Sequence, residues 1–229
     1  MLTLPKVMKR EIITTKDGSK TIHLSDWQEN YHSHHGAVQE ALHVFIKSGL
    51  DKKARENSSV SILEVGFGTG LNAILTYAHA LKGDLHIRYE GVEAYPVELD
   101  EINKLAYAEL KEVARYSEVY HEMHSSEWEQ RVSITPEFEL LKRKVMLAEY
   151  TPELGVFDLV YFDAFGPRVQ PELWEASIFE MLYNAMRPGA ILVTYCAKGQ
   201  VRRDLISVGF YVEKIPGPPG KREMLRATK

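Results

Sequence analysis

Hydrophobic residues in this chain fall into two spacings. Short runs rich in β-branched, aromatic and leucine residues occur at 60–65, 85–93, 138–146, 157–162 and 190–195. Bounded by polar or glycine-rich segments, such runs predict strands. Between them apolar positions recur every three or four residues. That spacing predicts helices over 70–81, 97–110, around Trp128, 172–186 and 199–207. Strand and helix in alternation argue for a doubly wound, mostly parallel α/β sheet. The pattern changes at the end, where a run at 210–215 is followed by Pro216-Gly217-Pro218-Pro219-Gly220 and a shorter run at 222–228. That turn has no room for a crossover helix, so the last two strands must pair antiparallel.

Ahead of the sheet, residues 10–24 alternate polar and β-branched positions about Lys16-Asp17-Gly18-Ser19, a hairpin pattern. Residues 36–47 place Val38, Leu42, Phe45 and Ile46 on one helical face. The polar stretch Asp51 to Ser59 then leads into the sheet. Residues 1–57 read as a small N-terminal hairpin and helix elaboration, and 58–229 as the main unit.

The chain has 229 residues, enough to bury the core of one α/β domain. A hydrophobic fraction of 45% and a charged fraction of 26% are ordinary for a globular protein. No apolar run approaches the ~18 residues of a membrane span. Met1 to Lys6 opens without the apolar stretch of a signal peptide. Cys196 is the single cysteine and follows an apolar run. We expect a buried, inert thiol, a cytoplasmic setting and no membrane partner. Net charge is −4, which excludes a globally basic nucleic-acid binder. From Lys198 onward, however, eight Lys/Arg stand against three acids, a local excess of +5. Such a patch suits a polyanion, although on charge alone a solvated face is the better reading.

Residues 62–70 read Ile-Leu-Glu-Val-Gly-Phe-Gly-Thr-Gly: a strand ending in an acid, then glycine at every second position. A helix is predicted from Leu71, so its N–H groups point into the same space as the loop. Glycine lets a ligand lie against bare backbone there. The dinucleotide fingerprint needs glycine at its first, third and sixth positions. Counted from Gly66, the third is Gly68 but the sixth is Leu71. The stretch matches instead the E-x-G-x-G-x-G loop of the class I S-adenosylmethionine-dependent methyltransferases. The antiparallel ending of the sheet resembles the same Rossmann-like fold. That ligand has no phosphate. Its methionine end needs donors for a carboxylate and an acceptor for an ammonium, roles for the loop amides and, indirectly, Glu64.

Ligands in open α/β sheets lie beyond the carboxyl ends of the strands. Glu93 stands at such an end, where it can accept both ribose hydroxyls or cap the helix after Pro96. Asp163 stands at another, after six mostly apolar residues. Burial there raises its pKa unless donors or a cation stabilise the charge. Glu90, inside its strand, is expected to pair with Arg or Lys. Glu98, Asp100 and Glu101 read as a solvated helix face. His32, His34 and His35 have no cysteine nearby and no Glu-x-x-His partner, so surface histidines are favoured over a zinc site and no metal is expected.

Several segments together carry a family resemblance. They are Asp163-Ala164-Phe165-Gly166-Pro167, then Pro171-Glu172-Leu173-Trp174 and Phe179, and the loop from Glu64 to Asn72. Gly199 to Arg203, Gly209-Phe210, Gly220-Lys221-Arg222-Glu223-Met224-Leu225, and Asp17-Gly18, Tyr31, Ser33 and Glu40 agree with them. The chain resembles the methyltransferase half of the bifunctional tRNA-modifying MnmC family and its stand-alone relatives. The resemblance implies transfer of a methyl group from S-adenosylmethionine to the side-chain amine of 5-aminomethyl-2-thiouridine at the wobble position of tRNA. Bifunctional members add an FAD-dependent oxidoreductase. With the chain ending soon after the methyltransferase motifs, neither FAD nor that second activity is expected.

Residue by residue, the resemblance implies Glu64, Gly66, Phe67, Gly68, Thr69, Gly70, Asn72, Glu93, Asp163, Ala164 and Phe165 around the donor. Asp163 accepts a hydrogen bond from the amine and orients its lone pair. Phe165 and Pro167 wall the slot beside the sulfonium. Tyr31, Glu40 and Trp174 serve the acceptor, Trp174 by stacking on a base or by simply filling the core. Lys198, Arg202, Arg203, Lys221 and Arg222 hold tRNA phosphates. One departure stands out. Family members usually carry Gly-Asp before the 157–162 strand, the Asp expected to hold the adenine amino group. This chain has Val145-Met146, with Glu149 three residues on. Two other readings stay open: a methyltransferase of a small amine or another RNA, and a non-catalytic nucleoside- or RNA-binding module.

Overall fold

The structure is a computed structural model and describes residues 9–229. The expectations for Met1 to Lys6 and for the first eight residues of the elaboration lie outside the described residues. Alternation about Asp17-Gly18 produces the hairpin: β1 (Arg10–Thr14) pairs antiparallel with β2 (Lys20–Leu24), Ile12 opposite Ile22. Asp17 Oδ1 closes the turn, accepting from the Thr15 hydroxyl at 2.7 Å and the Ser19 amide at 3.0 Å. A two-residue strand, β3 (Glu29–Asn30), adds to β2.

Helix α1 (Ala37–Ala41) then widens into π-helical turns over Leu42–Leu50 and returns to α-geometry in α2 (Asp51–Ala54). The helix therefore continues past residue 47, into the stretch expected to be a polar connector. Gly49 explains the extension. A Cβ there would lie 3.1 Å from Val193 and 3.2 Å from Leu159, so its absence lets the helix close on the sheet. The widening also moves Leu42 to a half-exposed edge and brings Val44 into the core.

The main unit follows the predicted alternation. In chain order it has β4 (Ser59–Val65), α3 (Leu71–Ala80), β5 (His86–Glu93), α4 (Leu99–Leu105), α5 (Ser117–Ser125), β6 (Arg131–Thr135) and β7 (Phe138–Lys144). Then come β8 (Phe157–Phe162), α6 (Ala176–Ala185), β9 (Met186–Thr194), α7 (Gly199–Ser207), β10 (Tyr211–Pro216) and β11 (Glu223–Thr228). The sheet order is β10-β11-β9-β8-β4-β5-β7-β6. The five strands from β9 to β7 run parallel, and β11 lies antiparallel between β9 and β10, as the short turn requires. Side chains on β4 alternate between the two covered faces. Ile62 packs with Phe45 and Ile74, and Leu63 with Phe179 and Leu205. Ile22, Leu24 and Phe45 of the elaboration share the first of these cores.

Two elements differ from expectation. The helix expected around Trp128 stops at Ser125, and Trp128 instead bridges to Lys142. Its ring is held by Phe67 at 6.3 Å and by the Lys142 ammonium at 5.0 Å. The edge strand β6 has no apolar run to announce it, since only Ile134 of its five residues is buried. Among the described residues no helix is long and apolar enough to cross a membrane.

Candidate active site

Parallel pairing brings the ends of β9, β8, β4, β5 and β7 to one edge of the sheet, around a cavity of about 320 Å³. Gly66 makes the closest approach. Its φ is 90°, and a Cβ would lie 2.8 Å from the Asp163 carbonyl, so only glycine lets the two strand ends meet. The loop is tied to β5 as well: the amides of Gly66 and Phe67 both donate to Val92 O, at 3.0 and 3.1 Å. Gly70, in left-handed conformation, begins α3 from behind the cavity, where a Cβ would lie 2.8 Å from His124 Nε2.

Glu93 lines the cavity and does not cap α4. Its carboxylate accepts from Gly68 N at 3.0 Å and Tyr95 N at 2.9 Å. The cap is Glu98, in a reciprocal box with Glu101, and Glu101 also pairs with Arg10 at 2.8 Å. Glu98 and Asp100 are exposed, as a solvated face requires, although Glu98 also caps the helix; Glu101 is half-buried by its pair with Arg10. Glu90 pairs with Arg131 and Arg143, as its place in the strand suggested.

Glu64 does not reach the cavity. It is 0% exposed and accepts from Asn72 Nδ2 and the Tyr89 hydroxyl, each at 2.8 Å. Burial, then the charge of Asp163, pushes its pKa well above the carboxylate range. Asn72 carries its influence forward, because the same Nδ2 donates to Asp163 Oδ2 at 2.8 Å. Burial and then Glu40 raise Asp163 to about 7, while Asn72 and Lys221 pull it down. Two buried acceptors beside the cavity have no partner among the described residues: Thr69 Oγ1 and Asn72 Oδ1.

Aromatic residues form the opposite wall. Phe165 meets Trp27 at 5.6 Å and Tyr31 at 5.1 Å, both edge to face. Tyr195 donates to Ala164 O at 2.9 Å. Phe67 also lines the cavity, but its ring packs into the core, where a Cβ on Gly91 would lie 2.5 Å from it. Pro167 is off the cavity. It turns the chain between Gly166 and Gln170, which do line the wall. Trp174 is 3% exposed, packs against Phe162 and donates to Phe165 O at 2.8 Å. It props the Phe165 loop from behind and has no face open to a base. Trp27, Glu29, Gln170 and Tyr195 line the cavity without having been singled out in the sequence. Tyr195 had a signal, since it ends a predicted strand as Glu93 and Asp163 do; Trp27 and Glu29 had none.

The β7 end is apolar. Val145, Met146 and Leu147 line it, Met146 is 40% exposed, and Glu149 stays outside. The basic tail divides. Lys214, Arg226 and Lys221 pair with Glu223, Glu213 and Glu40. Lys198, Arg202, Arg203 and Arg222 make no ion pair among the described residues. Lys198 caps α7, close enough with Lys221 to offset part of the burial that raises the Cys196 thiol. His34 and His35 are exposed as expected, whereas His32 is half-buried and lines the cavity. It contacts Thr21 and Tyr107, and burial lowers its pKa to about 4. Among the described residues no three His, Cys, Asp or Glu converge on a metal position.

This strand order, with a glycine loop after the central strand and an acid at the end of the next, defines a class I, Rossmann-like methyltransferase sheet. Comparison with known proteins agrees. A family model described as S-adenosyl-L-methionine-dependent methyltransferase matches residues 103–229. The tRNA 5-methylaminomethyl-2-thiouridine biosynthesis bifunctional protein MnmC of Leptospira borgpetersenii is 34% identical over 212 residues, covering 85% of this chain and 31% of that protein. The protein of the same name from Paracidovorax citrulli is 34% identical over 218 residues, covering 87% and 32%. The chain thus spans about a third of the length of these curated relatives. The crystal structure of MnmC2 from Aquifex aeolicus aligns with a TM-score of 0.76 at 25% identity, over 97% of this chain and 71% of that one. Spermidine synthase from Thermotoga maritima shares the fold, with a TM-score of 0.60 at 13% identity over 99% and 70%. The chain belongs to the S-adenosylmethionine-dependent methyltransferase family, as an MnmC-like methyltransferase domain.

The residues present fit that donor. Bare backbone at Gly66 and Gly68 leaves room for its methionine end, and the unpartnered Thr69 and Asn72 oxygens offer acceptors to an ammonium. With the donor bound, the Glu93 carboxylate would offer an acceptor to ribose hydroxyls, and Val145 to Leu147 an apolar bed to a base.

Proposed function

We propose that this chain methylates the exocyclic amine of wobble 5-aminomethyl-2-thiouridine in tRNA, giving the methylaminomethyl form. The observation that carries this reading is Asp163, a half-buried acid raised to about 7 between the glycine loop and an aromatic wall. The curated relatives' names supply the substrate class. When bound, S-adenosylmethionine supplies a methyl group on a sulfonium. An alkylamine arrives protonated and must lose that proton before its lone pair attacks. Asp163 accepts the proton and orients the nitrogen lone pair towards the methyl group that a bound donor would supply. Trp27, Tyr31 and Phe165 shield this step from water and present aromatic surface to a positive centre.

Lys198, Arg202, Arg203 and Arg222, which make no ion pair among the described residues, hold the tRNA backbone. Residues 58–229 form the methyltransferase unit, and the elaboration completes its pocket with Trp27, Tyr31 and Glu40. A tRNA substrate goes with a cytoplasmic setting. No FAD-dependent step is ascribed to these residues, so a separate reaction must supply the free amine. Mass spectrometry of tRNA nucleosides after incubation with the donor tests the reading. The methylaminomethyl nucleoside should appear from aminomethyl tRNA, while carboxymethylaminomethyl tRNA stays unchanged. Methylation of a small amine with tRNA left untouched would replace this reading with the small-amine one.

A further inference from the structure

Lys221 groups by sequence with the phosphate-binding residues, but the fold puts it inside the cavity. Its Nζ lies 2.7 Å from Glu40 Oε1 and 3.8 Å from the centre of the Tyr195 ring. Glu40 is 8% exposed, and its second oxygen accepts from Ser33 N at 2.8 Å. The turn that carries Lys221 is pinned to the same region. His43 Nε2 bonds to Pro216 O at 2.8 Å, and the His35 ring packs where Gly220 has no side chain. Lys221, Glu40 and Asp163 line one cavity.

Two carboxylates lining one cavity raise the cost of a second negative charge there. Such a pair binds an ammonium but also keeps the proton that the reaction must remove. A cation fixed on one of the two separates their roles. We propose that Lys221 is a positioning residue: its ammonium, bonded to Glu40, engages that carboxylate and leaves Asp163 as the acid that exchanges a proton with the acceptor. The inference rests on the reading above that the acceptor is an amine. Other groups facing Asp163 do not duplicate the effect. Asn72 donates to it with Glu64 behind, Tyr195 titrates far higher, and Glu93 is held by two amides.

Titration of the Asp163 carboxyl by carbon-13 NMR in the full chain, without substrate, tests this independently of turnover. The wild-type midpoint should fall near 7. Lys221→Met should raise it by about one pH unit or more, Lys221→Arg should restore it, and Glu40→Gln should lower it. The double variant, lacking both charges, should return towards wild type. If Lys221→Met fails to fold, Glu40→Gln and Lys221→Arg still decide. A midpoint unmoved by Glu40→Gln, or by a folded Lys221→Met, overturns the inference. The acid limb of methyl transfer to tRNA should move with the titration in each variant. If wild type methylates nothing, the function reading fails while the titration still judges Lys221.

Discussion

One amide nitrogen, Asn72 Nδ2, serves two carboxylates, Glu64 in the core and Asp163 in the cavity. That shared donor leaves Asp163 under-stabilised as an anion, because burial and Glu40 outweigh it. The result is a base matched to neutral pH and a cost to folding. Asp163→Asn should reduce methyl transfer by about 100-fold or more, measured as single-turnover kcat, and remove the acid limb near pH 7. The same substitution should stabilise the fold at pH 8. A raised acid pKa destabilises only where the unfolded chain ionises more readily. The penalty is therefore absent below 3.8 and complete above about 7. A gain on the order of 2 kcal/mol in urea denaturation at pH 8, vanishing by pH 4, is the expected outcome; equal stability at both pH values would contradict it. Of the donor-side residues, those carried by the glycine motif were legible because backbone proximity demands glycine at Gly66. Glu64 was legible as important but not as buried, since a strand-end acid reads the same whether it faces the ligand or the core.

At the scale of elements, the loop after β8 is aimed by what lies behind it. Trp174 fills the core under that loop and anchors Phe165 O. Trp174→Ala should destabilise the fold by about 3–5 kcal/mol, read by thermal or urea denaturation. Trp174→Phe should keep most of the stability but lose the indole bond. A variant that kept full stability while losing only tRNA affinity would restore the stacking role. The α7 cations act differently. Charge reversal at Arg202 and Arg203 together should weaken tRNA binding by at least about 10-fold at moderate salt and flatten its dependence on salt concentration. Binding that kept its salt slope would remove them from the interface. Helices and parallel strands were legible because their burial leaves a period in the chain. β6 and the bridge at Trp128 were not, since an edge strand with one buried residue leaves none. The π-helical turns escaped for a related reason: the apolar positions of 36–47 fit an α-helix, and Gly49 shows its purpose only when β8 and β9 are beside it.

Across the whole molecule, the hairpin, the π-helical segment and the sheet share one core, and two half-buried histidines are held in it as neutral rings. His32 and His124 are both lowered to about 4, chiefly by burial. The unfolded chain binds their protons below about 6.5, so stability should fall as pH drops from 6.5 to 4, by on the order of 2 kcal/mol each. Denaturation midpoints for His124→Gln should show a shallower acid decline than wild type; an unchanged slope would show that His124 titrates normally. The pinned turn at Pro216–Lys221 has its own consequence for how the molecule comes into being. Glu40 and Lys221 lie 181 positions apart, and His43 and Pro216 lie 173 apart. On the ribosome the glycine loop and Asp163 emerge well before Lys221 does. A nascent chain can thus form most of the sheet while its acids still lack their cation, and a competent pocket arises only when the late-made turn docks on the early-made helix.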